Sequence, residues 1–300
     1  MISFNIQPNF TVEIKNSMDF LFAGIVIILN NFSFIDSLSI EKHFVGSDTG
    51  LPRCPIEISY RLDTLIEKKA VADFITKYTE EERGIILAIN RISNSVVKKG
   101  KVLVVPDTLT SQMLDYSPFP AMLAGFDSVP KLILISCRIQ AFAIYENGIN
   151  TRWGPVSSGK KSTATPAGLF HTNFKAEVKI SSVNSDWIMP WYFNFYARRG
   201  IALHQYFLPG YPASHACVRM QEKDAKWFFD WADQWKVSAK TGSVIKTGTP
   251  VIIFGDYNFD AAKPWSNLPD DNQSTTITAG ELVEVLSYLP KIHIDVVLRK

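Results

Sequence analysis

The sequence predicts a mainly β protein, a sandwich-like arrangement of mixed sheets with one helix after residue 217, preceded by a small α-rich unit. Three observations lead there. Short apolar runs bounded by turn signals recur from Lys131 onwards, with Asn147–Gly148 as a hairpin signal. Ahead of them, Leu65, Ile66, Val71, Phe74 and Ile75 recur at helical spacing. Further on, Ala225, Phe228, Phe229, Ala232 and Trp235 trace one apolar face of a helix that starts near Gln221. The chain has 300 residues, 46% of them hydrophobic, enough for one or two domains with a sizeable core. Its formal net charge is +2 and it has no basic block, so composition gives no case for a nucleic-acid partner.

Taken in order, residues 1–60 read as an amino-terminal segment and linker. Phe20–Leu29 is an apolar run too short to cross a bilayer as a helix, but of export-signal length. Lys15 precedes it, as does Asp19, and no Ala-x-Ala site follows, so a buried strand or helix is the competing reading. Gly46, Gly50, Pro52 and Pro55 break regular structure before residue 60. Residues 61–108 form the α-rich unit. A first helix is expected from about Asp63 and a second over Thr79–Asn90, where Thr79 and Glu82 have the spacing of a capping box. A strand closes the unit at Lys101–Pro106. That ending, Gly100–Pro106, resembles the last strand of a LysM-like glycan-binding module; a helical cap packed on the next domain is the alternative.

Residues 109–130 read as a connector, extended at Ser117–Pro118–Phe119–Pro120. Within 131–256, Leu132–Ile135 and Phe142–Tyr145 read as two strands or one long bent one, and Arg152–Val156 and Val251–Phe254 are further expected strands. Cys137 reads as core. His171 reads as structural, with lining a cleft as the alternative. Trp187–Phe193 is densely aromatic, a pattern that makes core or walls a groove. Residues 257–300 form an extension with a helix over Leu282–Leu289 and a strand over Ile292–Leu298.

The chemistry concentrates at His204 and at Ser214–His215–Ala216–Cys217–Val218–Arg219, on either side of a turn at Leu208–Ala213. The chain has only five histidines and three cysteines, and Cys54, Cys137 and Cys217 are too scattered for a disulfide framework. A thiol beside imidazoles is the minimum equipment of a cysteine acyl-transfer enzyme, because a neighbouring His takes the thiol proton or lowers its pKa. A zinc site built from His204, His215 and Cys217 is the competing chemistry, but no CxxC or HExxH pattern supports it. No metal and no cofactor is expected.

The pattern resembles the L,D-transpeptidase family, with its YkuD-type catalytic domain, whose signature is a first His, a spacer, then Ser/Thr-His-Gly-Cys followed by an apolar residue and Asn or Arg. His204 matches the first His, Ser214–His215 the Ser-His, Cys217 the nucleophile and Val218–Arg219 the closing pair. Upstream, Val156–Gly159 and Thr165–Phe170 resemble the family's "StG…TPxGxF" run; downstream, Gly248–Ile253 resembles its "GTPV" strand. Ala216 stands where the family usually has Gly, and the spacer after His204 is shorter than in many members.

The resemblance implies a YkuD-like catalytic domain over 131–256 and acyl transfer on peptidoglycan tetrapeptide stems, with an acceptor amine as second partner and carbapenem-type β-lactams as inhibitors. It implies Cys217 as nucleophile, His204 as general base and His215 as support or alternative base. Ser214 would fix an imidazole tautomer, the backbone N–H groups of Ala216 and Cys217 would hold the oxyanion, and Arg219 is a candidate for a substrate carboxylate. The positive end of the helix following Cys217 is expected to favour a thiolate. The cell envelope is the implied location. Two alternatives stay open: a hydrolase cleaving the same bond, and an inactive glycan-binding envelope protein.

Overall fold

The computed structural model describes residues 58–181 and 183–292, together with the backbone of 2–7 and 10–14. The apolar run Phe20–Leu29, Cys54 and the strand expected beyond Ile292 lie outside the described residues. An amino-terminal unit up to Gly50 holds an antiparallel hairpin of β1 (Ile2–Gln7) and β2 (Phe10–Ile14). Everything from Leu51 onwards forms one second unit.

That second unit opens with a strand where the sequence predicts helix. β3 (Tyr60–Thr64) pairs antiparallel with β4 (Val102–Pro106), Leu62 opposite Val104. A five-residue strand whose partner lies some forty positions away carries little local signal, and long-range pairing overrides the weak helical spacing at Asp63. Between the two strands run α1 (Lys68–Lys77) and α2 (Glu80–Ile89). The box that caps α2 is formed as the sequence predicts: the Glu82 N–H donates to Thr79 Oγ1 at 3.2 Å, and the Thr79 N–H donates to Glu82 Oε2 at 2.8 Å. Leu65, Phe74, Tyr78, Ile86, Ile92, Leu103 and Val105 give this strand–helix–helix–strand unit a core of its own.

The larger element is a nine-stranded mixed sheet. Its strands are β5 (Leu132–Ser136), β6 (Ala141–Glu146), β7 (Ile149–Ser157), β8 (Gly168–His171), β9 (Lys175–Ile180), β10 (Ile188–Tyr196), β11 (Ile201–Gln205), β12 (Val218–Met220) and, after a small ribbon of β13 (Lys236–Val237) and β14 (Val244–Lys246), β15 (Pro250–Phe254). The spatial order is β8-β15-β5-β6-β7-β12-β11-β10-β9. Pairing is parallel at β15/β5 and β11/β12 and antiparallel elsewhere. The hairpin signal is met by Asn147 and Gly148, both at positive φ, between β6 and β7.

The uninterrupted apolar runs follow from burial on both faces of the sheet. Ile133, Ile135, Phe142, Ile144 and Val156 join Phe193, Leu203 and Val218 in one core. Their alternates Leu132, Leu134, Ala143, Tyr145 and Trp153 join Ile85 and Ile89 of α2 and Trp265 and Val285 from the carboxy-terminal segment in another. The sheet curls until its ends meet, Phe170 of β8 lying 5.6 Å from Phe195 and 5.0 Å from Tyr196 of β10. α3 (Glu222–Trp231) covers the first core, with Phe228 edge-on to Phe142. α4 (Ala279–Leu286) closes the second. Among the described residues, no helix is long and apolar enough to cross a membrane.

Candidate active site

Strand alternation is what assembles the site. In the parallel pair β11/β12, Leu203 faces Val218 and His204 faces Arg219. Paired residues share a face and neighbours in sequence take opposite faces. Leu203 and Val218 are fully buried in the core beneath, so His204 and Arg219 turn to the other face. Carrying the alternation back to Cys217 makes thiol and imidazole diagonal neighbours on that face. This pair is what the motif comparison assigns as nucleophile and base.

The loop before Cys217 is held by the segments that the sequence singles out upstream. Gly159 and Ser214 form a parallel bridge, and the Ser214 N–H donates to the Ser158 carbonyl at 3.0 Å. Thr165 Oγ1 donates to the Ala216 carbonyl at 2.9 Å and accepts from the Gly159 N–H at 2.8 Å. A Cβ on Gly159 would meet the Thr163 carbonyl at 2.1 Å, so only glycine fits this crossing. Ser214 Oγ donates to the Cys217 carbonyl, closing the turn rather than touching an imidazole, which corrects its expected role. Ala216 adopts φ +79°, the left-handed region where an L side chain is strained.

His204 is buried, and its Nδ1 lies 2.9 Å from the Gln205 carbonyl. A carbonyl can only accept, so Nδ1 carries the proton and Nε2 keeps the lone pair a base needs. Burial pushes the His204 pKa down to about 4, against the Gln205 carbonyl and with help from the Arg219 charge. Cys217 is half-buried, with Sγ 4.0 Å from the Gly200 carbonyl. Burial raises its pKa above the usual thiol value, while the Ala202 backbone and Arg219 pull it down.

The resting pair is therefore neutral thiol and neutral imidazole. The expected thiolate at the end of a helix does not arise: β12 separates Cys217 from α3, and a helix-end field fades within a turn.

The remaining candidates scatter. His215 is exposed, its ring 4.6 Å from that of Trp187 beyond the end of β9. Arg219 lies 4.6 Å from the Tyr206 ring and makes no ion pair among the described residues. Of the aromatic stretch, Trp191 packs on Phe229, Phe193 is core and Trp187 lies against His215, whereas Tyr192 reaches the site. His171 ends β8 and lines a separate cleft of about 540 Å³ with Lys236, Lys246 and Thr249. Cys137 is buried, as expected of core.

Two residues support the site: Gln140, which carries no signal in the sequence, and Tyr192, which lies within the aromatic run. Gln140 donates from Nε2 to Ser158 Oγ at 2.7 Å and accepts from the Ser158 N–H at 2.8 Å, bracing the strand end under the loop. The Tyr192 hydroxyl donates to the Gly200 carbonyl at 3.1 Å, the same oxygen that Cys217 Sγ approaches. Neither sits in a motif; only the sheet register brings them there.

Comparison with known proteins finds one family model that matches part of the chain. Residues 130–253 match the model of the L,D-transpeptidase catalytic domain, YkuD. Comparison with curated proteins gave no match. Solved structures that the chain is similar to include an L,D-transpeptidase from Stackebrandtia nassauensis, at 20% identity over 43% of this chain and 57% of that one, TM-score 0.35. Another is an L,D-transpeptidase from Xylanimonas cellulosilytica, at 20% identity over 67% of this chain and 100% of that one, TM-score 0.39. A third is the L,D-transpeptidase LdtMt1 in complex with imipenem, at 21% identity over 42% and 59%, TM-score 0.34. The chain thus spans less than two thirds of the length of the first and third of these.

Proposed function

We propose that this chain, whose residues 130–253 carry the L,D-transpeptidase catalytic domain, is a cysteine acyltransferase of peptidoglycan stem peptides, acting in the cell envelope. The observation that carries the reading is the convergence of the Ser158–Gly159, Thr165 and Ser214–Cys217 segments on one loop, with His204 on the adjoining strand. Scattered conserved-looking letters would have no reason to meet there.

In the first half-reaction, Cys217 Sγ attacks the carbonyl carbon of an L–D peptide bond as its proton passes to His204 Nε2. The oxygen of the tetrahedral intermediate lies against the Ala216 and Cys217 N–H groups, donors of a kind typically worth about 3 kcal/mol each. The C–N bond breaks, His204 returns the proton to the departing D-amino acid amine, and a thioester remains. In the second, an acceptor amine gives its proton to His204 and attacks the thioester, and Cys217 recovers its proton. Arg219 supplies the positive charge for a stem carboxylate.

Intact-mass spectrometry on the full chain with disaccharide-tetrapeptide, beside Cys217→Ala, tests this. Cross-linked dimer with loss of the terminal residue, absent in the control, is the expected result. Tripeptide without dimer would replace transfer by hydrolysis. No product over several stem types, and no mass adduct with imipenem, would sink the reading in favour of an inactive envelope protein.

A further inference from the structure

A broad cleft lies at the far end of the catalytic strands. It has a volume of about 900 Å³ and lies between α2, the 93–95 loop, the 205–207 segment that continues β11, and the start of α3. One wall comes from the strand–helix–helix–strand unit and the other from the catalytic sheet. Tyr206 joins it to the catalytic face: the residue is part of the lining, and its ring lies 6.0 Å from that of His204 and 4.6 Å from the Arg219 guanidinium.

We infer that this groove binds the sugar chain to which the stem peptide is attached, so that the protein selects glycan-linked rather than free stems. The inference rests on the acyl-transfer reading above for the identity of the polymer.

The lining chemistry points to a neutral polyhydroxylated ligand. Ser93, Asn94, Ser95 and Gln221 offer hydroxyl and amide groups that both donate and accept, which is what sugar hydroxyls and acetamides require. Phe207, 43% exposed, presents an apolar ring of the size that covers a sugar face. The charges of the lining nearly cancel, Glu80, Glu81 and Glu222 against Arg83 and Lys223, so no field selects a polyanion. The volume lies at the upper end of small-ligand sites, more than one stem residue fills. A polymer lying there would present its peptide to the face holding Cys217.

The groove is also pre-formed. Ile92 bridges to Pro209, and the Leu208 N–H donates to Ser93 Oγ at 2.9 Å, fixing the loop of one wall to the loop of the other.

The test titrates the 300-residue chain carrying Cys217→Ala with peptide-free β-1,4-linked amino-sugar oligomers and follows backbone amide resonances. Saturable shifts at 93–95, 206–207 and 221 are expected, with affinity falling at least fivefold in Cys217→Ala/Phe207→Ala at unchanged melting temperature. Absent shifts, shifts confined to another surface, or undiminished affinity without Phe207 would overturn the inference. Imipenem acylation of the wild type is followed in parallel. Acylation without glycan binding refutes the groove alone; glycan binding with neither acylation nor any stem-peptide product leaves the groove standing and refutes the acyltransferase.

Discussion

His204 and Ala216 show how single positions are tuned by where the fold puts them. An isolated His titrates near 6.5, but burial holds the folded His204 near 4. Between those values the unfolded chain binds a proton that the folded one refuses, so stability is complete above about pH 6.5 and falls as pH drops towards 4. The loss approaches about 3 kcal/mol. Urea titrations at pH 7 and pH 4.5 should show this term, and His204→Gln should remove it; an equal slope in both proteins would refute the buried neutral imidazole. Activity follows the same logic. The acid limb of kcat/KM belongs near pH 4 rather than 6.5, and the alkaline limb lies above the ordinary thiol value, leaving a broad plateau. Ala216 carries the opposite message. Its φ of +79° costs about 1 kcal/mol or more, partly offset by the lower chain entropy of unfolded Ala relative to Gly. Ala216→Gly should therefore raise the melting temperature by about 2 °C, and a fall in differential scanning calorimetry would show that the methyl packs favourably enough to outweigh the strain. The sequence carries the identity of His204 and Cys217, because residue types and spacing are written in it. It does not carry their protonation, which depends on burial by strands far away in the chain.

Two helices carry the same cap and differ in what surrounds it. Thr79 and Glu82 start α2 on the surface, whereas Thr278 and Glu281 start α4 in a half-buried setting. There Glu281 also receives Arg138, Nε to Oε1 at 2.8 Å and Nη2 to Oε2 at 2.7 Å, a two-pronged pair of the strong kind. Burial works to raise the Glu281 pKa, but Arg138 and the Thr278 contacts outweigh it and hold the carboxyl below its usual range. Thr79→Ala should cost about 1 kcal/mol, and Glu281→Ala about 2–3 kcal/mol, because it also strands a partly buried guanidinium. Chemical denaturation of both would decide; equal losses would mean that the fork adds nothing. The Thr79 cap is legible in the sequence since all its parts lie within four residues. The Arg138 fork is not, for its halves meet only when β5 and α4 are folded together. The strand at Tyr60–Thr64 was hidden for the same reason: its evidence is a partner at Val102–Pro106, not a local period.

How the small helical unit is joined to the catalytic sheet decides whether the two act as one body, and Arg91 is where that join is tested. It is buried at the end of α2, with no carboxylate partner among the described residues. Instead Nη1 donates to the Ala88 and Ile89 carbonyls at 2.6 and 3.1 Å, where helix ends leave acceptors unmet, and Nε donates to the Ile139 carbonyl of the β5–β6 turn at 2.8 Å. Its guanidinium lies 5.3 Å from the Trp153 ring and 5.4 Å from that of Trp265, one from the sheet and one from the carboxy-terminal segment. Three parts of the chain therefore depend on one planar cation, and the 59° φ that aims it is a further strain accepted at the join. Nothing in the sequence marks Arg91 out, since its partners are backbone carbonyls and two distant tryptophans. Arg91→Met keeps most of the volume and abandons buried acceptors in two elements, so a loss of about 3 kcal/mol or more is expected. Arg91→Lys should recover little of it, because a point charge cannot reach three carbonyls and stack between two rings. Followed by tryptophan fluorescence and by far-ultraviolet circular dichroism, the wild type should unfold in one transition. Arg91→Met should split it, the helical unit melting first while imipenem still acylates the remainder. A single transition shifted by less than 1 kcal/mol would show that the hydrophobic contact of Ile85 and Ile89 with the sheet is sufficient to hold the two together.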